Sequence, residues 1–139
     1  MSLRAIPLIL FVFVFYNVIV LTGAGDTRDA DTVLREVLFE VPMLYGNSWK
    51  FSWGDLTIFL LFITLFVELL KATYTSGASL LDHGLSMLVF VICLIEFLMV
   101  AAAQTSVFFF ITLATLIDVV AGYTIGIRVA RRDIGFGGG

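Results

Sequence analysis

The chain has 139 residues, 60% of them hydrophobic, and a mean hydropathy of +1.08, where a soluble domain is usually about 45–50% apolar. A net charge of −3 and a pI near 4.9 argue against nucleic acid as a partner, which calls for basic patches. A membrane span takes about 20 mostly apolar residues, so four spans fill the length, and the single cysteine, Cys93, excludes a disulfide within the chain.

In chain order, the first apolar run covers about residues 5–22, after Arg4 and before Gly23-Ala24-Gly25-Asp26. It is longer than the 7–15 residue core of a secretory signal, so an uncleaved anchor is expected rather than a signal peptide. Residues 23–54 form the one long connection. Within it Val33, Leu34, Val37, Leu38 and Val41 share one helical face. They predict a short amphipathic helix over about 31–41, lying on the membrane surface or packed as a lid on the helix ends. Tyr45, Trp49 and Trp53 then read as an interfacial girdle or a partner contact, because Tyr and Trp favour the headgroup level.

The second span is expected over about 55–72, with Asp55 at its N-terminus, where the helix dipole favours an acid, and Lys71 near its other end. A polar link containing Ser76-Gly77 leads to a third span over about 84–103. Residues 85–121 contain no glycine or proline, and one helix from 85 to 127 would be about 65 Å long, roughly twice the hydrocarbon thickness. A turn is therefore required, and Gln104-Thr105-Ser106 supplies it. The fourth span follows over about 106–127, before a basic segment and a glycine-rich tail at 135–139. The fold expected is an all-α membrane protein, a four-transmembrane-helix bundle forming one integral membrane domain with a short amphipathic outer helix.

With four spans, Arg4, Lys71, Arg128, Arg131 and Arg132 share one side. Arg28, Arg35 and Lys50 share the other with the five acids of residues 23–54. The positive-inside rule then predicts cytoplasmic termini, in a bacterial inner membrane.

Each apolar run carries a polar or small stripe. On the fourth it is Thr112, Thr115, Asp118, Gly122 and Gly126, one helical face, leaving Phe108, Phe109, Ile111, Leu113, Leu116, Ile117 and Val120 for lipid. On the second it is Thr57, Thr64, Glu68, Lys71 and Thr75. The third offers Ser86, Cys93 and Glu96, and the first Asn17. Ordered by depth, Asn17, Glu96, Asp118, Glu68 and Lys71 descend across the membrane. Intramembrane acids mark proton or ion routes, so an oligomeric transporter or channel is expected. Its proton or cation path would run through Asp118, Glu96, Glu68, Lys71, Thr112, Thr115 and Asn17. The same acids also fit internal pairing, since Glu68 and Lys71 are i, i+3 neighbours, or docking of a basic residue from another subunit. The alternative function is a non-catalytic accessory or assembly subunit of a larger membrane complex.

Gly122 and Gly126 form a GxxxG spacing that permits close helix packing, within the chain or between copies. His83 is the single histidine, and no HExxH, CxxC, phosphate loop or nucleophile elbow is present. No catalytic residue, metal or cofactor is expected. The partners expected are the lipid bilayer and either further copies or other membrane subunits.

Overall fold

The computed structural model describes residues 6–24, 29–74 and 80–136. Arg4, Arg28, the Ser76-Gly77 link, Thr75 and the end of the glycine-rich tail lie outside them. The architecture is mostly helical. It comprises α1 (Ile9–Gly23), α2 (Ala30–Arg35), β1 (Val37–Pro42), β2 (Ser48–Ser52), α3 (Trp53–Tyr74), α4 (Leu80–Met99), a 3-10 turn (Ala101–Ala103) and α5 (Ser106–Phe136). By length and composition two stretches are long and apolar enough to cross a membrane, Trp53–Thr73 and Ser106–Arg128; Ile9–Gly23 and His83–Met99 are shorter apolar helices.

The helix expected over 31–41 is corrected. It begins as anticipated, with the Asp29 carboxylate accepting from the Thr32 amide at 2.8 Å, but it ends at Arg35. Glu36 is extended, and Val37–Pro42 pairs antiparallel with Ser48–Ser52. The fold is therefore not purely α. β-Branched and aromatic residues favour a pleated strand. Gly46, at a φ of +84°, takes the left-handed conformation that the tight connection needs and that glycine adopts without strain.

β2 runs straight into α3, which starts at Trp53 rather than 55. Ser52 and Asp55 cap it reciprocally. The Ser52 amide and hydroxyl donate to the Asp55 carboxylate at 2.9 and 2.8 Å, and the Asp55 amide donates back to the Ser52 hydroxyl at 3.3 Å, satisfying amides that a helix start leaves without partners. The Thr105 hydroxyl likewise accepts from the Phe108 amide at 3.2 Å and caps α5. α5 continues beyond the expected 127 to Phe136, because Arg128, Arg131 and Arg132 are good helix formers and no proline follows Pro42.

α5 lies between α3 and α4, and α1 packs on α3 and α5. α3 and α5 run parallel, with Gly54 beside Val107 near their starts. α4 runs antiparallel to α5, from His83 beside Gly126 to Phe97 beside Phe108 and Phe109. Phe108 is fully buried, with Tyr16 edge-on at 4.9 Å, Phe13 tilted at 6.1 Å and Phe97 stacked at 6.5 Å between centroids. Phe108 and Ile111, expected to face lipid, are both 0% exposed. A helix with neighbours on three sides buries more than one stripe. Outside this core the helices expose large apolar side chains, among them Phe11, Phe59, Phe62, Phe66, Leu98, Met99 and Val120.

Candidate functional site: a buried carboxylate cluster

Four helices bring polar groups together near the C-terminal half of α3. Glu68 is buried, and its carboxylate meets the Lys71 ammonium at 3.0 and 3.1 Å. The same carboxylate accepts from the Leu8 amide at 2.5 Å, one of the donors that the start of α1 leaves without a helical partner. Lys71 Nζ also reaches the Ile6 carbonyl at 3.5 Å. The pair thus ties α3 to the entry of α1.

Asp118 stands beside this pair on α5 and is 7% exposed. Ser86 of α4 turns its hydroxyl toward the Asp118 carboxylate, and Glu68, Lys71 and His83 are the charged or titratable groups that face it. The Lys71 ammonium is engaged by Glu68, so Asp118 faces that charge without an ion pair of its own among the described residues.

The neighbouring hydroxyls share an orientation. Thr64 donates to the Leu60 carbonyl at 2.9 Å, Thr112 to Phe108 at 3.1 Å and Thr115 to Thr112 at 2.7 Å; Thr57, about 16 Å along α3 from Glu68, donates to Trp53 at 2.8 Å in the same way. A carbonyl oxygen only accepts, so each hydroxyl proton is committed to its own helix. What remains for a neighbour is oxygen lone pairs, which suit a cation or a proton donor and repel an anion.

The other expected path residues lie apart. Ser86, not Glu96, is the α4 residue at Asp118, and ten residues of helix between the two put Glu96 about 15 Å along α4. Glu96 lies toward Tyr16 and Cys93. There the Tyr16 hydroxyl joins α1 to the α4–α5 turn, donating to the Ala102 carbonyl at 2.8 Å and lying 2.7 Å from the Thr105 hydroxyl. Asn17 donates to the Phe13 carbonyl of its own helix at 3.2 Å.

Gly122 and Gly126 receive the His83 imidazole. A Cβ on Gly122 would stand 3.5 Å from its Cε1, and one on Gly126 3.2 Å from its Nε2; Tyr123 meets the ring edge-on at 6.2 Å. Of the girdle residues, Tyr45 is fully exposed, Trp49 is half-exposed on β2, and Trp53 is half-buried with its ring 6.3 Å from Phe15. Among the described residues no three His, Cys, Asp or Glu side chains gather as metal ligands. No family model, no curated protein and no solved structure matches the chain.

Proposed function

We infer that the chain is a four-span integral membrane protein that moves protons or a cation, working as an oligomer because four helices enclose little volume. α1, α3, α4 and α5 are the spans. The support for lipid as solvent is the inverted surface. Only 17% of the α3 stretch and 39% of the α5 stretch are buried, whereas the core helix of a soluble protein would be largely covered. α4 follows α5 antiparallel from Gly126 to Phe108, and α1 runs from Leu8 beside Glu68 to Tyr16 beside Thr105. If α5 crosses, its two shorter neighbours cross with it. The basic residues Lys71, Arg128, Arg131 and Arg132 then mark the cytoplasmic side of a bacterial inner membrane.

The observation that carries the transport reading is Asp118, buried, without an ion pair among the described residues, and on one helical face with threonines that present lone pairs. Asp118 binds and releases the proton or cation, Ser86 holds its carboxyl, and Glu68 with Lys71 supplies the adjacent charge. Glu96 serves the opposite end of the route. The test is flux in proteoliposomes. Asp118→Asn, which keeps hydrogen bonding and loses titration, is expected to abolish flux, and Glu96→Gln to reduce it. Unchanged flux in both variants, or none from folded wild type, rejects the reading.

A second reading, a non-catalytic accessory subunit, is favoured by the apolar hairpin exposed at one end of the molecule. Purification in mild detergent separates the two. A stoichiometric second protein supports the subunit, and a homo-oligomer supports transport.

A further inference from the structure

Among the described residues, the hairpin of β1 and β2 is the element that leaves the helical body, and it sorts its side chains by face. Phe39 is opposite Phe51 and Val41 is opposite Trp49. Side chains alternate along a strand, so these four share one side. Phe39 stacks on Phe51 at 4.7 Å, and Trp49 meets Phe51 edge-on at 5.4 Å. On the reverse side Glu40 is opposite Lys50, with their charged groups 3.7 Å apart, and the Ser48 hydroxyl donates to Glu40 at 3.0 Å. The turn adds Met43, Leu44 and Tyr45, the last two fully exposed. One face and the tip are thus apolar, and the charges are confined to the other face.

A lone two-stranded hairpin with an uncovered apolar face is at best marginally stable in water. We propose that lipid covers it: the hairpin lies on the outer leaflet, its Phe39, Val41, Trp49 and Phe51 face in the boundary between headgroups and acyl chains and its Glu40–Lys50 face in water. This rests on the membrane reading above. β2 joins α3 with no residue between Ser52 and Trp53, which fixes the root of the hairpin where α3 enters lipid. Tyr45, Trp49 and Trp53 are the residue types that settle at headgroup level. Glu40 and Lys50 neutralise each other, so the hairpin carries no surplus positive charge. Apolar burial therefore drives the contact, with no requirement for anionic lipid.

Trp49 and Trp53 are the two tryptophans of the chain, which makes fluorescence specific to this region. W53F leaves Trp49 to report on the hairpin, and W49F leaves Trp53 to report on the start of α3. Each full-length variant is reconstituted into phosphatidylcholine vesicles whose acyl chains are brominated near the headgroup. The expected result is a blue-shifted Trp49 emission, quenched by bromine to at least half the extent of Trp53 and shielded from aqueous acrylamide. Trp49 open to acrylamide and untouched by bromine, with Trp53 quenched, overturns the proposal and leaves the membrane reading standing. No quenching of either residue overturns both. A Trp49 blue shift that tracks the protein-to-lipid ratio without bromine quenching assigns the face to a second copy, and quenching that appears only with anionic lipid rejects the apolar mechanism. Either outcome overturns the proposal.

Discussion

The Nε2 atom of His83 lies 3.2 Å from where a methyl group on Gly126 would stand, and Cε1 lies 3.5 Å from one on Gly122. The two positions share a helix and a neighbour but differ in slack. Alanine in place of glycine inside a helix gains roughly 0.5–1 kcal/mol. At Gly122 the new methyl makes ordinary contact, so Gly122→Ala is expected to raise the midpoint of thermal unfolding in detergent. At Gly126 the imidazole must give way, so Gly126→Ala is expected to gain less. His83→Ala should bring the two alanine variants level.

Tyr16 and Thr105 hold α1 to the α4–α5 turn. Removing the hydroxyl in Tyr16→Phe loses both its bonds, to the Ala102 carbonyl and to Thr105, and is expected to cost about 2 kcal/mol at about 1 kcal/mol each. Thr105→Ala should cost a similar amount, because the same oxygen also caps α5, an interaction worth about 1 kcal/mol. Equilibrium unfolding of both single variants and the double variant measures their coupling. Strict additivity would show that the 2.7 Å contact contributes nothing.

Glu68 and Lys71 form a pair in which the acid is the more buried partner. Lys71→Met leaves that acid without its countercharge. The expected loss is on the order of 2–3 kcal/mol, below the full range for buried pairs because the Lys71 side chain is 26% exposed. Adding Glu68→Gln removes the stranded charge and should restore most of the stability, since the carboxamide oxygen it introduces still accepts from the Leu8 amide. A double variant no more stable than Lys71→Met would show that the pair does more than neutralise charge.

Asp29 caps α2 from the water-facing loop, and its hydrogen bonds with Thr32 hold its carboxyl below the ordinary carboxylate range. A carboxyl whose folded pKa is depressed stabilises at pH values above its unfolded pKa, and the contribution disappears as pH falls through the folded one. Amide exchange at Thr32 is therefore expected to speed up, beyond its intrinsic pH dependence, only below the ordinary pKa of an aspartate. Asp29→Asn keeps an amide oxygen for the cap and should remove that step.

The long helices were legible from the length of their apolar runs, and the turn at Gln104 because a single helix over 85–127 would run about 65 Å. The hairpin was not. Val33, Leu34, Val37, Leu38 and Val41 satisfy a helical period, and what overrides it is a set of cross-strand partners, Trp49 and Phe51, together with the left-handed turn at Gly46. Phe108 and Ile111 were misplaced because amphipathicity identifies one inward stripe and α5 has three neighbours. The stripe of Thr112, Thr115 and Asp118 was readable from spacing. That Ser86, rather than Glu96, meets Asp118 depends on how far α4 slides along α5, which no local pattern encodes. Nor does any local signal relate His83 to Gly126. The histidine was visible as a singleton and the glycines as a spacing, and only packing joins them.

α5 holds one further consequence in its length. It runs unbroken from Ser106 to Phe136, with Asp118 inside the packed region and exposed Arg128, Arg131 and Arg132 beyond it. Without a proline, a long helix of this kind curves gently rather than kinking sharply. Asp118 and Arg131 are about 20 Å apart along it, so a change of tilt of about 10° pivoting at Asp118 sweeps Arg131 through roughly 3 Å. The buried acid and the exposed basic segment thus share one continuous helix, so any tilt about the first displaces the second.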